Sequence, residues 1–348
     1  MTTFLLINCI AFYLLLRTNL NIHCRIPDKT YWLICVVLII IVAFRGPIDH
    51  DYPSYVTTLQ DPQNYSISEP TFLFFKWIIN SFSLPYVTLF LLYASLAIFI
   101  KFIAIRKYSK LEVVSLLVYF SNILLLHECT QIRAGVASAF LLISFHYLYQ
   151  KKYTSFIIII FISSLFHYSS LGALCLLCLS KSNIERKKDV IFWSILPISG
   201  LVFHLTGFTD ITHLIPIESI RMKMEMYKRL EENGAEGYAQ VNLFNPYFIF
   251  KLAIYYFLFL KRKYFSKYPN FSLYLKIFGL SLFLFHFLSV ITPLLGYRMS
   301  EYIGTVEILL FPYIFLLFKT KKQKFVMISS YYFLLLAVNI LHKHLIFL

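Results

Sequence analysis

Five short polar clusters interrupt an otherwise apolar chain, and their residue types suit the handling of an anion and a hydroxyl group. The first is Phe44-Arg45-Gly46-Pro47-Ile48-Asp49-His50-Asp51-Tyr52-Pro53-Ser54-Tyr55. Gly46-Pro47 breaks a helix there. Arg45 then either snorkels beside a solvated acidic turn or binds an anion, with Asp51 binding or activating a hydroxyl. The second is Glu69-Pro70, where an acid before a helix-starting proline complements the helix dipole. The third is His127-Glu128-Cys129-Thr130-Gln131-Ile132-Arg133-Ala134-Gly135. Its small residues allow close helix contact, so Arg133 is carried inward and must meet Glu128, Glu69 or Asp51, or an anionic ligand. The fourth centres on His167, a hydrogen-bonded structural group or one whose ordinary pKa of about 6.5 suits proton transfer. The fifth is Gly296-Tyr297-Arg298-Met299-Ser300-Glu301-Tyr302, in which Arg298 and Glu301 are three apart and can pair. Arginine forks bind phosphate oxygens, while tyrosine faces and carboxylates bind sugar. Gathered together, these groups describe a cavity for a diphosphate joined to sugar.

The rest of the chain must position them. Of 348 residues 59% are hydrophobic and 14% charged, which leaves no water-facing surface for a soluble globule. The reading is an all-α, polytopic membrane protein, a single membrane domain over 1–348 whose apolar runs each approach the ~20 residues a bilayer requires. Six connections, around 17–29, 101–110, 151–152, 181–188, 261–267 and 319–324, hold 21 of the 32 Lys and Arg residues, and the positive-inside rule turns them to the cytoplasm. An outer polar loop (45–69) and an outer amphipathic loop (207–244) carry the acids. Spans are expected at 2–17, 30–44, 84–104, 112–128, 132–149, 189–206, 245–261, 271–293, 302–318 and 324–342, ten to twelve crossings in all. Segment 70–82 is placed partly in the outer interface. Segment 153–180 has basic residues at both ends yet is too short for two full spans, so it is a kinked, re-entrant or two-short-helix hairpin with 166–170 at its outer bend. By this parity all five clusters face outward, and an amphipathic stretch at 215–240 can lie over them as a lid. The first apolar run lacks a charged n-region and a cleavage site and is kept as span one.

The net charge of +15 is scattered over membrane ends, which suits anionic lipid headgroups and not nucleic acid. Cys175 and Cys178, embedded in leucines, are span filler. Neither metal nor cofactor is expected.

In order and spacing, Arg45-Gly46…Asp51-Tyr52…Tyr55, Glu69-Pro70-x-Phe72, Gln131-Ile132-Arg133-x-Gly135-x-Ala137, Ser164-Leu165-Phe166-His167-Tyr168-Ser169 and Arg298-x-x-Glu301-Tyr302 resemble the EpsG/Wzy-type family of bacterial surface-polysaccharide polymerases, across residues 40–305. Pro47-Ile48-Asp49-His50 stands where the family has a polar insertion before Asp-Tyr. The resemblance implies a GT-C-like glycosyltransferase of the inner membrane with its site facing the periplasm. It would join oligosaccharide repeat units carried on undecaprenyl diphosphate into O-antigen, capsule or exopolysaccharide, beside a chain-length regulator. On that basis Arg133 and Arg298, with Arg45 as third contact, are assigned to the diphosphate. His167 is the first choice of general base, with Asp51 or Glu69 the alternative. Gln131 and Tyr52 orient sugar hydroxyls, and Glu301 completes the substrate contacts. Two other classes stay open: a flippase for the same lipid-linked sugar, and a membrane acyltransferase modifying surface sugars.

Overall fold

The computed structural model describes residues 2–23, 25–47, 49, 51–61, 67–206 and 245–339, with single positions at 218, 221, 222, 225, 226, 229 and 233. Helix makes up 82% of the structure and no strand occurs among the described residues. The protein is an all-α, polytopic membrane protein. The stretch 215–240, expected as a lid, falls largely outside the described residues.

Contacts divide the chain into two compact units, Met1–Leu174 with Glu307–Leu348, and Cys175–Val306. The first unit contains α1 (Thr2–Leu20), α2 (Asp28–Ala43), α3 (Asp51–Gln60), α4 (Pro70–Ser81), α5 (Val87–Tyr108) and α6 (Glu112–Val118). A π-helical run, Tyr119–Thr130, continues α6, and α7 (Ile132–Tyr149) and α8 (Tyr153–Phe166) follow. At its centre every residue from Glu112 through Cys129 is buried. A helix apolar on all sides has to be enclosed on all sides, and α5, α7 and the Lys321–Ala337 helix do the enclosing. The second unit packs α9 (Lys187–Leu205) and the Pro246–Leu260 and Pro293–Gly304 helices against Phe271–Ser289.

Helix starts follow local chemistry. Asn245 and Thr292 cap helices that begin with proline, and Thr320 forms a reciprocal capping box with Gln323, each satisfying otherwise unbonded first-turn N–H groups.

Six helices among the described residues have the length and apolarity to cross a membrane, with four shorter apolar helices beside them. Two expectations change. Segment 101–110 is not a connecting loop, because α5 runs through to Tyr108 and buries Lys101 completely. Nor is 296–302 a loop between spans at 271–293 and 302–318. The Thr292-Pro293 cap starts a helix there, and the apolar stretch Pro293–Leu316 is continuous enough to count as one candidate span.

The odd segment 153–180 takes the two-short-helix form: α8 stops at Phe166, His167 is extended (φ −155°, ψ 114°), and a 3-10 helix runs Tyr168–Cys178.

Candidate functional site

The site assembles at the junction of α3, α4, α7 and α8, all within the first unit. Pro70 occupies the first turn of α4, and Glu69 sits at its N-cap in extended conformation. Its side chain makes no capping hydrogen bond, although helix-dipole pairing is the ordinary role for an acid at that place. It reaches sideways instead. Glu69 Oε2 lies 2.5 Å from Arg133 Nη1, and Glu69 Oε1 lies 3.3 Å from His167 Nδ1. One carboxylate therefore bridges a guanidinium from the first turn of α7 and an imidazole from the end of α8.

Backbone ties hold the three in place. The His167 N–H donates to Ser163 O at 3.1 Å and closes α8, while the Ser170 N–H and hydroxyl both donate to His167 O. Thr71 Oγ1 donates to Leu165 O at 2.8 Å and the Tyr168 hydroxyl to Ser68 O at 2.9 Å, stitching the start of α4 to the α8 bend on both sides of Glu69. Glu69 has little contact with solvent, and its side chain is 7% exposed against 19% for Arg133 and 12% for His167. Burial alone would raise the Glu69 pKa, but the His167 hydrogen bond and the Arg133 charge outweigh it and bring it down to about 2. A carboxyl held so firmly ionised is a poor base. Its fitted role is to orient His167 and stabilise the imidazolium. Nδ1 is the ring nitrogen that faces Glu69.

A second charged group neighbours the first. Gly46 has φ +70°, a conformation that favours glycine, and the chain turns there so that Arg45 folds back into the protein. Arg45 Nε donates to Asp49 Oδ2 at 3.3 Å and Nη1 to Val42 O at 3.2 Å. Asp49 Oδ1 accepts from the Asp51 and Tyr52 N–H groups, both at 3.0 Å, and so caps α3. Burial outweighs Arg45 and pushes the Asp49 carboxyl up to about 6. Of the two alternatives for Arg45, the snorkelling one fails, since Arg45 and Asp49 are both buried. Asp49 is the acid that Arg45 binds. An acid two residues before a helix start was the signal for it.

Aromatic rings join the two groups. Phe90 stacks on Tyr52 at 4.5 Å, carries the Arg45 guanidinium 4.6 Å from its centroid, and meets Tyr55 edge-on at 6.2 Å. The Tyr55 ring in turn lies 5.9 Å from the Arg133 guanidinium. Two buried N–H donors, Arg45 Nη2 and Arg133 Nε, have no hydrogen-bond partner among the described residues. Such donors are costly unless an acceptor is supplied.

Asp51 and Tyr52 are partly exposed in the first turn of α3, and Gln131 is partly exposed where the π-helical run gives way to α7. Of the residues singled out beforehand, Glu69, Arg133 and His167 meet directly, and Arg45 and Tyr52 meet through Phe90. Arg298 and Glu301 belong to the second unit, where both are partly exposed on the Pro293–Gly304 helix. Glu128, one of the acids considered for Arg133, is instead bound by Lys101. No group of three or more His, Cys, Asp or Glu side chains able to hold a metal ion is found among the described residues.

An all-helical, multi-pass membrane protein with a carboxylate-bridged Arg and His is thus the class that fold and site define. The model of the EpsG family matches residues 29–346, and the chain belongs to that family. The family points to polysaccharide-polymerase function of a glycosyltransferase-like kind. No curated protein and no solved structure matches the chain.

Proposed function

We propose that this protein polymerises surface polysaccharide by joining oligosaccharide repeat units carried on undecaprenyl diphosphate, at a site on the periplasmic side of the bacterial inner membrane. The Glu69 bridge between His167 and Arg133 carries the reading, because it sets a proton acceptor beside an anion-binding guanidinium. His167 removes the proton from a sugar hydroxyl of the incoming unit as that oxygen bonds to the anomeric carbon of the growing chain. The bond from that carbon to the diphosphate oxygen breaks, and undecaprenyl diphosphate leaves with the electron pair. Glu69 stabilises the resulting imidazolium, which returns its proton to water. The unpartnered donors of Arg133 and Arg45 suit phosphate oxygens, and stabilising the charge that develops on the leaving group is worth more in a water-poor site than in bulk solvent. Tyr52 and Gln131 are assigned sugar contacts, and Asp51 remains the alternative base. The product is O-antigen, capsule or exopolysaccharide, with a chain-length regulator as partner.

The test is a purified-protein assay with lipid-linked repeat unit, read by product. Long chains from the wild type, with single units accumulating for Arg133→Ala and His167→Ala, support the proposal. Moved but unextended lipid would make the protein a flippase, and an esterified sugar an acyltransferase. Retained activity in His167→Ala with loss in Asp51→Asn would transfer the base to Asp51.

A further inference from the structure

A second buried ion pair lies behind the site and shares a helix turn with it. Lys101 from α5 and Glu128 from the π-helical run are both fully buried, and the Lys101 ammonium donates to Glu128 Oε1. The same ammonium donates to Gly135 O at 3.1 Å, and the Tyr119 ring centroid is 5.6 Å away. Gly135 is two residues beyond Arg133 on α7. Its Cα presses so closely on the π-helical run that an added Cβ would stand 2.8 Å from His127 O. One ammonium thus ties three strands of chain together: α5, the end of the π-helical run and the first turn of α7. Between the last two stands Gln131 (φ −89°, ψ 61°), the N-cap of α7, and Arg133 follows two residues later.

We infer that Lys101 and Glu128 are positioning residues that set the direction of Arg133 toward Glu69 through the Gly135 carbonyl, an inference that rests on the catalytic reading above. An ion pair sealed in an apolar bundle is poor value as glue, because well-packed apolar side chains often serve stability equally well. What it supplies is directional: three ammonium hydrogens can satisfy a carboxylate and a carbonyl from two different segments at once, which a leucine cannot.

The experiment pairs Lys101→Met/Glu128→Leu with Glu128→Gln in the full-length protein. The first removes both charges and retains bulk, while the second keeps a carbonyl acceptor for the ammonium. The expected result for the double variant is an unchanged or higher melting temperature in detergent, an unchanged KM for lipid-linked repeat unit and a kcat reduced on the order of tenfold to a hundredfold, the size expected of a small misplacement. Glu128→Gln should keep kcat within a few-fold of wild type. Independently of activity, Glu69→Cys with Arg133→Cys in a cysteine-free background reports the backbone geometry by cross-linking with a short bifunctional thiol reagent. The yield should drop with Lys101→Met/Glu128→Leu and hold with Glu128→Gln. Wild-type kcat and wild-type cross-linking in the double variant would overturn the inference. A wild-type protein that makes no polymer would defeat the catalytic reading alone, since cross-linking would still judge the positioning.

Discussion

Glu69 and Glu128 are both largely removed from water, and both bind a cation, yet they are built for different work. Glu128 and Lys101 are 0% exposed at their side chains, enclosed among α5, the π-helical run and α7. Glu69 sits where α4 and α7 begin and α8 ends, and its two partners, Arg133 and His167, keep 19% and 12% of their side-chain surface. Desolvation acts on both carboxylates, but only the second group has edges from which a ligand or a proton can be exchanged. An ion pair with no route outward holds a shape. A pair with partly exposed partners can hold a shape and also do chemistry.

That contrast breaks most severely at the exposed group. His167→Ala is expected to lower polymer formation about 10²–10⁴-fold, the usual share of a general base, while the purified protein keeps its wild-type melting temperature within a few degrees. Glu69→Gln should lose less, because an amide oxygen still accepts from Nδ1 but no longer stabilises the imidazolium. Equal rates for both variants and wild type would reduce the Glu69 bridge to architecture. At the enclosed group, removing one partner alone adds a stability effect to the rate effect. Lys101→Met leaves Glu128 as an uncompensated buried acid and is expected to cost about 3–5 kcal/mol, seen as a lower melting temperature that Lys101→Met/Glu128→Leu restores. Gly135→Ala probes the same contact more gently. The added Cβ meets backbone, His127 O at 2.8 Å, which cannot swing aside, so about 1–3 kcal/mol is expected.

Sequence reading reached these two groups unequally, for physical reasons. Glu69-Pro70 announces a helix start, and the charge parity around 153–180 announces a bend at His167; both signals are local, and both residues lie where they indicate. The direction of the Glu69 side chain is not local, since its partner His167 is 98 residues away. Lys101 was hidden by its neighbours. Grouped with Arg106, Lys107 and Lys110 it reads as part of a basic loop, whereas buried Ala94, Ala97, Ile98 and Ile105 show that helical periodicity sets it on the inner face of α5. Periodicity outranked charge clustering there, and the same holds at Arg298, where Thr292-Pro293 starts a helix before the supposed loop begins. Asp49 carries only the signal of its place two residues before a helix start, where its carboxylate accepts the Asp51 and Tyr52 N–H groups, whereas Asp51 stands in a family-like Asp-Tyr pair.

The smallest expected effect sharpens the contrast by opposing two carboxyls of the same site region. Glu69 is held at about 2, below its ordinary value, by His167 and Arg133 acting against burial. Its contribution to stability is therefore present above about pH 4.5 and lost as pH falls from there toward 2. Asp49 is pushed up to about 6 by burial, against Arg45. The folded state then holds a proton that the unfolded state releases, so its contribution is full below the ordinary aspartate value and disappears as pH rises through 6. Between pH 7 and pH 5 this amounts to about 1 kcal/mol in favour of the lower pH. Asp49→Asn keeps an oxygen able to accept the Asp51 and Tyr52 N–H groups but cannot titrate. Melting temperature against pH should thus lose its rise from pH 7 to 5 in Asp49→Asn, whereas Glu69→Gln should alter only the limb below pH 4.5. A rise that persists in Asp49→Asn would assign it to another group.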